Sequence, residues 1–391
     1  MADAEFAVIG GGPAGASAAR RLAQRGASVI LFERQKMPRP KPCGGAVSER
    51  AMAHLGFDVP ASLVDAEIFG ARVHFGGACA EARLDGRLAI LVTRSRFDHF
   101  LLQKAQECGA RVVWADVKSV EPRPGEVALA TSEGRFTVGG AIICEGANRR
   151  LSRAVHGLNG PGEHGFCLEA DVPVARPDPH ADLGDVIEIH FGLVGRGYGW
   201  LFHHGSYYSI GVGGMGSRFG DPLGTLRRFA AAQGVDTDGI RPRGCYIPCG
   251  GIRRTLCADR LLLAGDAAGW VDPFLGEGLA YAIRSGQLAA EAALEASARG
   301  DLSRRGLAAY GRLCRREFGR DLESALTLSR VAYRWPGLFI RALASREHVL
   351  RNYLRVEAGQ WTYRRFLLWL LGRAPRLWIQ SRRGSKACSR A

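Results

Sequence analysis

Apolar and polar residues follow two different periods within the first 33 residues. Residues 6–9 form a short apolar run, which predicts a buried strand. Residues 14–25 place alanines and Leu22 on one stripe, which predicts a helix lying flat on a sheet, and Gly26 ends it. Residues 28–32 are β-branched and aromatic, which predicts a second strand. The chain therefore opens with a β-α-β unit.

Later stretches predict two kinds of sheet. Short strands are expected over 66–93, hairpin strands over 117–138, and glycine-separated β-like runs over 165–214. The last of these is typical of a separate antiparallel sheet. Thr93 is expected to cap a helix, and a long helix is expected from 279 to about 298. The fold class is therefore α/β, with a Rossmann-type domain, an antiparallel β-sheet domain and C-terminal helices.

Three glycines join the first strand to the first helix at GxGxxG spacing. Gly10 is expected to make the tight turn, Gly12 to let a pyrophosphate approach the backbone, and Gly15 to let the helix pack closely. A phosphate there meets the positive end of the helix dipole. Glu33 ends the second strand, where a carboxylate binds ribose hydroxyls. These residues predict a dinucleotide cradle.

A second copy of the glycine spacing occurs at Gly211, Gly213 and Gly216. The residues that follow, 217–222, are not expected to open a helix. We therefore reject this copy as a dinucleotide site.

The loop from Arg34 to Gly45 contains three prolines, which prevent regular structure. Gly44 and Gly45 follow Cys43 and permit close approach of the backbone to a flat ligand, while Lys41 supplies positive charge. The alternative is a proline-stiffened connection that buries a thiol. The spacing alone leaves both interpretations open.

Three aromatic residues alternate along one predicted strand. Tyr198, Trp200 and Phe202 share one face, because successive side chains of a strand point to opposite sides. They line either a ligand cavity or a packed core between sheet and helix. His203 and His204 are expected on opposite faces and are therefore poor joint metal ligands.

An acidic residue ends a later apolar strand. Asp266 follows residues 260–264 and precedes a glycine-rich segment and the long helix. Its carboxylate can bind a polyol hydroxyl, and the helix N-terminus can stabilise a developing negative charge.

The ten cysteines in 391 residues are scattered and contain no CxxC pair. The Cys245 and Cys249 spacing lacks companion ligands, so no metal site is predicted. Reduced thiols indicate a cytoplasmic protein.

The net charge of +15 is concentrated at the C-terminus. Residues 341–391 contain twelve arginines and lysines and two glutamates, a local net charge of +10. This pattern favours an anionic partner, and no nucleic-acid-binding motif accompanies it. Within it, residues 366–371 form an apolar run of only six, far short of a spanning helix. We expect the region to rest on the inner face of a membrane; the alternative is a helical cap over the substrate domain.

Three motifs together resemble the geranylgeranyl reductase family, within the FAD-containing aromatic hydroxylase fold. They are Lys41-Pro42-Cys43-Gly44-Gly45, Tyr198-x-Trp200-x-Phe202 with Gly211-x-Gly213, and Gly265-Asp266-Ala267-Ala268-Gly269 through Gly276-Glu277-Gly278. The family usually has proline where His203 stands and aspartate where Glu145 stands. The resemblance implies FAD contacts at Ala14, Glu33, Cys43, Gly44, Ala46, Arg94, Val117, Asp266, Gly278 and Leu279.

The resemblance also implies the chemistry. The expected reaction is hydrogenation of carbon-carbon double bonds of a geranylgeranyl-type chain on a lipid or pigment, with Tyr198, Trp200 and Phe202 along the chain. Cys43 and Tyr198 are the candidate proton donors. NAD(P)H or another donor is expected to reduce FAD transiently. Two alternatives remain: a monooxygenase acting on an aromatic or lipid substrate, and a flavin or lipid carrier without turnover.

We expect three regions along the chain, with the oligomeric state undetermined. They are a discontinuous FAD-binding domain over 1–70, 94–160 and 250–300, a β-sheet substrate domain over 71–93 and 161–249, and a basic helical region over 301–391.

Overall fold

The computed structural model describes residues 2–148, 150–152, 155, 164–215, 219–248 and 255–373. Gly216, Cys249 and residues 374–391 of the basic C-terminal region lie outside the described residues.

The strands and helices alternate in the first third of the chain and separate later. In chain order the strands are β1 (Ala4–Ile9), β2 (Val29–Glu33), β3 (Ala46–Ser48), β4 (Ala66–Ile68), β5 (Gly70–Phe75), β6 (Ala78–Arg83), β7 (Ala89–Leu91), β8 (Arg111–Trp114), β9 (Val117–Arg123), β10 (Glu126–Thr131), β11 (Gly134–Ile143), β12 (Gly165–Pro173), β13 (Val186–Phe191), β14 (Gly197–His203), β15 (Tyr207–Met215), β16 (Arg243–Ile247), β17 (Cys257–Ala258) and β18 (Leu261–Leu263). The helices are α1 (Pro13–Gln24), α2 (Glu49–Leu55), α3 (Arg94–Glu107), α4 (Pro222–Ala232), α5 (Leu279–Ala298), α6 (Arg304–Leu307), α7 (Ala309–Cys314), α8 (Arg320–Arg334), α9 (Pro336–Ser345), α10 (Glu347–Glu357) and α11 (Tyr363–Leu371).

The first sheet has a parallel core in the order β18-β11-β1-β2-β8, extended by the antiparallel strands β9, β10 and β17. The carboxyl ends of its parallel strands meet at one edge, where ligands of open α/β sheets bind. Gly10, Glu33 and Asp266 all lie at this edge. The chain thus forms the predicted α/β fold with its candidate residues at the expected place.

Helix α5 packs very closely on α1. A side chain on Gly286 would place its Cβ 2.1 Å from the carbonyl oxygen of Ala14, so only glycine permits this contact. Leu22, Ala289 and Ala293 are buried in the same core. The close packing fixes the N-terminus of α1, which carries the cradle, against the helix that follows Asp266.

The second sheet has the order β16-β12-β15-β14-β13-β5-β6. Its pairs are antiparallel except β13 with β5, which run parallel. Among the strands expected over 66–93, β5 and β6 join this sheet, whereas β7 pairs with β3 and β4 in a small third sheet. That small sheet packs with Ala16 of α1 and Leu279 of α5, because Val47 and Ile90 are apolar on the side facing those helices. The domain boundaries stay a prediction.

The C-terminal helices fold back over one face of the second sheet. Leu350, Leu354 and Phe366 share a buried cluster with Val73 and Ile189 of that sheet. Fully burying one such side chain stabilises the fold by about 1.5–3 kcal/mol. In the described part of the chain, the helices are all too short or too polar to cross a bilayer.

Thr93 stands at the N-cap of α3, as the sequence predicts, but its hydroxyl does not cap the helix. The hydroxyl instead donates to Asp65 Oδ2 at 2.9 Å and lies 3.0 Å from the hydroxyl of Tyr207. A long-range contact therefore replaces the expected local one.

Candidate active site

One cavity of about 920 Å³ runs from the carboxyl edge of the first sheet to the face of the second sheet. Every residue predicted for the site lines it except Gly15, which lies behind the cradle. The predicted set therefore converges on one place, although its members are spread over about 270 residues of sequence.

The cradle glycines are required by close backbone contacts. Gly10 adopts φ +106°, and a Cβ there would lie 2.3 Å from the carbonyl oxygen of Cys144. A Cβ on Gly15 would lie 1.8 Å from the carbonyl oxygen of Gly10. The nearest atom to a Cβ on Gly12 is Arg39 Nη2 at 3.6 Å, so Gly12 opens to the cavity. Backbone N–H groups are thus accessible where a phosphate of a dinucleotide binds.

Glu33 is buried at the end of β2, beside the cradle. Its Oε2 accepts the Gly11 N–H at 2.8 Å, and its Oε1 lies 3.6 Å from Arg39 Nε. Arg39 also lies 3.5 Å from Asp98. The carboxylate is therefore held in place at the point where a ribose hydroxyl is expected.

Arg94 lies in the first turn of α3 and is buried at the cavity wall. It donates to both oxygens of Asp98, at 2.9 and 3.1 Å. Burial opposes its charge, but Asp98 and Cys43 outweigh that effect and raise the pKa of Arg94. Arg94 is therefore a charged side chain that Asp98 fixes in position at the cavity wall.

The loop from Lys41 to Gly45 is fixed by residues far away in sequence. Glu169 Oε2 accepts the Cys43 N–H at 2.6 Å, and His204 Nε2 lies 3.1 Å from the Gly44 carbonyl oxygen. Lys41 Nζ lies 3.0 Å from Cys245 Sγ. These contacts hold the Cys43 thiol at the cavity wall. They favour the ligand-facing interpretation of this loop over a mere connection.

Glu169 is almost fully buried, at 1% exposure. Burial and the nearby Asp171 raise its pKa to about 7, although Arg243 and the Cys43 N–H oppose the shift. Sequence reasoning missed Glu169 and His204, because neither belongs to a local motif. The only sequence signal for His204 was the pair His203-His204. The two imidazoles do bond to different partners, His203 to Asp178 and His204 to Asp65.

The remaining predicted contacts complete the cavity between cradle and loop. Asp266 lies in a 3-10 turn after β18, and Gly278 and Leu279 open α5 beside it. Ala46 begins β3, and Val117 begins β9. Their roles toward a cofactor stay predictions.

The aromatic side chains of β14 form another part of the cavity wall. Trp200 and Phe202 are buried, and Tyr198 donates its hydroxyl to the carbonyl oxygen of Leu275. A Cβ on Gly44 would lie 2.7 Å from the Phe202 ring, and one on Gly211 would lie 2.1 Å from the Trp200 ring. The rings thus line the cavity and also pack against glycine backbone, so both sequence interpretations describe part of their environment.

Glu145, where the family usually has aspartate, accepts three backbone N–H groups. They belong to Arg150, Leu151 and Ser152, and the shortest distance is 2.6 Å. Glu145 therefore organises the turn after β11 at the cavity mouth.

A cluster of half-buried carboxylates lies where the C-terminal helices meet the cavity. The sequence analysis assigned no role to either side chain, although Glu277 belongs to one of the family motifs. Glu277 and Glu357 line the cavity, and Arg50 lies near both. Tyr353 donates to Glu357 Oε1 at 2.7 Å. Burial raises the pKa of Glu277 to about 6 and that of Glu357 to about 7. Both carboxyl groups are therefore easier to protonate than an exposed glutamate.

The opposite face of the second sheet carries His74, Glu188 and His190, whose ligand atoms lie within 4.8 Å of one another. Arg72 also donates to Glu188, at 3.2 Å, and the two imidazole rings stack in parallel at 4.2 Å. Arg72 already neutralises the carboxylate, and two parallel rings cannot both place one ion in their planes. The prediction of no metal site stays a prediction.

Comparison with known proteins identifies the family. Residues 3–131 match the FAD binding domain family. The chain is 30% identical over 304 residues to the geranylgeranyl diphosphate reductase of Rhodobacter capsulatus, covering 73% of this chain and 74% of that protein. The chain belongs to the geranylgeranyl reductase family. Another family member, digeranylgeranylglycerophospholipid reductase 1 of Methanothermobacter thermautotrophicus, is 26% identical and matches 83% of this chain and 86% of its own length.

Solved structures show the same fold. A geranylgeranyl bacteriochlorophyll reductase-like protein from Thermoplasma acidophilum superposes with a TM-score of 0.78 at 20% identity, over 96% of this chain and 98% of that one. The halogenase PltM in complex with phloroglucinol and FAD superposes with a TM-score of 0.69 at 18% identity, over 93% of this chain and 85% of that one. This geranylgeranyl reductase family protein is therefore an FAD-dependent oxidoreductase with the expected fold. Its cradle, Glu33 and the open face of Gly12 fit the dinucleotide part of FAD.

Proposed function

We propose that the protein hydrogenates carbon-carbon double bonds of a geranylgeranyl-type prenyl chain carried by a lipid or pigment. The observation that carries the proposal is the continuity of the cavity, which has the dinucleotide cradle at one end and apolar walls at the other. The names of the Rhodobacter and Methanothermobacter relatives support this substrate class.

The apolar end has the chemistry of a prenyl slot. Its walls come from β5 and β13 on one side and from α9 and α10 on the other. They include Val73, Ile189, Phe191, Leu343, Leu350 and Leu354. Burial of a prenyl chain there contributes about 0.8 kcal/mol per CH₂ group removed from water. Binding energy from the chain is thus available to hold one double bond beside the loop of Cys43.

The residues of the slot must orient the chain, exclude water and deliver a proton. When bound, FAD supplies the hydride. An isolated double bond is a poor electrophile, so a proton must arrive with the hydride. The Tyr198 hydroxyl already donates to Leu275, and burial raises its pKa well above the ordinary value. These contacts favour Cys43 over Tyr198 as the proton donor.

We further propose that the electron donor, NAD(P)H or another reductant, reaches the flavin transiently. Gly211 and Gly213 belong to β15, where Gly211 packs under the Trp200 ring. The expectation that no helix opens at 217–222 is wrong, because α4 begins at Pro222 with Asp221 as its cap. Gly211 and Gly213 are nevertheless engaged in sheet packing instead of forming a second dinucleotide cradle.

We propose that the C-terminal region contacts a membrane surface without crossing it. Tyr363 and Phe366 are buried, but Leu368 and Leu371 on the outer side of α11 are 61% and 63% exposed. Arg365 lies 4.3 Å from the centroid of the Trp361 ring, so cationic and aromatic groups adjoin these leucines. Cations and indoles suit the headgroup level of a bilayer.

Liposome sedimentation tests the surface. Truncation at Gly359 would remove the buried Tyr363 and Phe366, so the double variant Leu368→Asp/Leu371→Asp is the better probe. We expect the parent protein to prefer anionic over neutral vesicles and the double variant to lose that preference. Equal binding of the parent to both vesicle types would contradict membrane docking.

Mass spectrometry of prenyl lipids tests the reaction. Holoenzyme reduced chemically under anaerobic conditions is incubated with geranylgeranyl lipid, and we expect products heavier by two hydrogens per reduced bond. Incorporation of an oxygen atom after air is admitted, without added hydrogen, would instead indicate a monooxygenase. Absence of either product would support a carrier.

A further inference from the structure

Two cysteines stand opposite each other on neighbouring strands of the second sheet. Cys167 of β12 is the register partner of Cys245 of β16. Both line the central cavity, so both thiols lie on the same side of the sheet. Neither residue has a role in the proposed reaction.

The spacing of the two strands suits a disulfide. Directly opposed residues of an antiparallel pair have Cα atoms about 4.5–5.5 Å apart. Disulfides join Cα atoms about 4.4–6.8 Å apart. The Cα spacing of the opposed pair is therefore compatible with a disulfide. Rotation of the two side chains, with a small local approach of the two strands, brings the sulfurs together.

The two thiols differ in environment. Cys245 is half-buried, its Sγ lies 3.0 Å from Lys41 Nζ, and it also lies 3.3 Å from the carbonyl oxygen of Tyr246. Burial opposes the charge on Lys41, but Cys245 and Asp266 outweigh it and raise the pKa of the ammonium. Cys167 is buried, and burial raises its pKa. Cys245 is the more accessible sulfur and has a cation beside it, so Cys245 is the attacking residue and Cys167 the resolving one.

We propose that Cys167 and Cys245 form a reversible disulfide in the wall of the cavity by exchange with a low-molecular-weight disulfide. The Cys245 thiolate attacks one sulfur of the small disulfide, whose bond breaks and releases one thiolate. The Cys167 thiol then loses its proton and attacks the Cys245 sulfur, which releases the second small thiol. The two cysteines lose two electrons together, and the small disulfide gains them as two thiols.

The disulfide makes the cavity sensitive to thiol redox state. Lys41 loses its sulfur partner when the bond forms, and Lys41 belongs to the loop that carries Cys43 and Gly44. The inference is independent of the prenyl substrate, because it concerns the cavity wall alone.

Disulfide mapping of the full chain tests the proposal. The holoprotein is incubated with oxidised glutathione, free thiols are alkylated, and the protein is digested with chymotrypsin, which cleaves after Tyr246 and so separates Cys245 from Cys249. We expect linked peptides containing Cys167 and Cys245, which disappear after reduction. Alkylation of both cysteines, or linkage of Cys245 to any other cysteine, would overturn the proposal.

Three variants separate the roles of the groups involved. Cys167→Ser is expected to retain glutathione on Cys245 as a stable mixed disulfide. Lys41→Met is expected to slow cross-linking at neutral pH by about tenfold or more, because the attacking sulfur loses the cation that lies beside it. Cys43→Ser is the matched control in the same cavity and is expected to cross-link like the parent. Equal rates for Lys41→Met and the parent would refute the role of Lys41.

Discussion

The two ends of the cavity are built in different ways. The cradle uses residues within one short segment, from Gly10 to Glu33, and its key contact joins Glu33 to Gly11, 22 positions apart. The loop of Cys43 is held across the molecule, by contacts spanning 126 positions to Glu169 and 204 positions to Cys245. The difference teaches that the cradle is encoded locally in this chain, whereas the position of the Cys43 loop depends on the second sheet.

Gly15→Ala should have the largest effect, because it distorts the dinucleotide cradle. The added Cβ would lie 1.8 Å from a backbone oxygen that cannot move without breaking the turn. We expect the free energy of unfolding to fall by about 3 kcal/mol or more, with loss of bound flavin. Denaturant unfolding and the flavin-to-protein ratio measure both effects.

Gly337→Ala, in the exposed start of α9, is the matched control, since nothing lies within 4 Å of its Cβ position. Retention of flavin and stability by Gly15→Ala would show that the cradle tolerates a side chain and is looser than the structure indicates.

Trp200→Ala should impair substrate turnover without changing flavin binding. The indole is buried against Gly211 and lines the cavity at the wall proposed for the prenyl chain. We expect turnover of long prenyl substrates to fall by on the order of a hundredfold through misplaced substrate, while flavin content is unchanged. Trp335→Ala is the control, because Trp335 is 54% exposed. Loss of flavin or solubility in Trp200→Ala would favour a purely structural role.

Glu169→Gln should change how the free energy of unfolding depends on pH, because Glu169 holds the loop of Cys43. Burial raises the pKa of Glu169 to about 7 in the folded protein, whereas the ordinary value in the unfolded chain is 4.5. Stability from this group is therefore present at low pH and declines as pH rises through that interval, by at most about 1.4 kcal/mol per unit.

Glutamine keeps an oxygen for the Cys43 N–H but does not titrate. We expect the difference in unfolding free energy between variant and parent to grow in favour of the variant as pH rises through this interval. Parallel pH profiles measured by denaturant unfolding would exclude Glu169 as the titrating group.

Sequence patterns predict those features that local geometry determines. The glycine spacing located the cradle, and alternation placed Tyr198, Trp200 and Phe202 on one face of β14. The supports of the loop could not be predicted, because Glu169 and His204 act through contacts that exist only after two sheets assemble. The hydroxyl of Thr93 shows the same limit, since Asp65 outcompetes the local cap.

Glu33→Arg should weaken cofactor binding without unfolding the protein. It removes the acceptor for the Gly11 N–H and places a cation beside Arg39. We expect FAD affinity to weaken by about 1–3 kcal/mol, measured by flavin titration, and Glu33→Gln to weaken it less. Unchanged affinity would remove Glu33 from the cofactor site.

An anaerobic single-turnover experiment tests most directly whether the cavity brings reduced flavin and a prenyl double bond together. Chemically reduced holoenzyme is mixed with geranylgeranyl lipid, and the recovery of the oxidised flavin band is compared with the number of bonds hydrogenated. We predict one reduced bond for each flavin reoxidised. A flavin that stays reduced until oxygen is admitted would contradict the account.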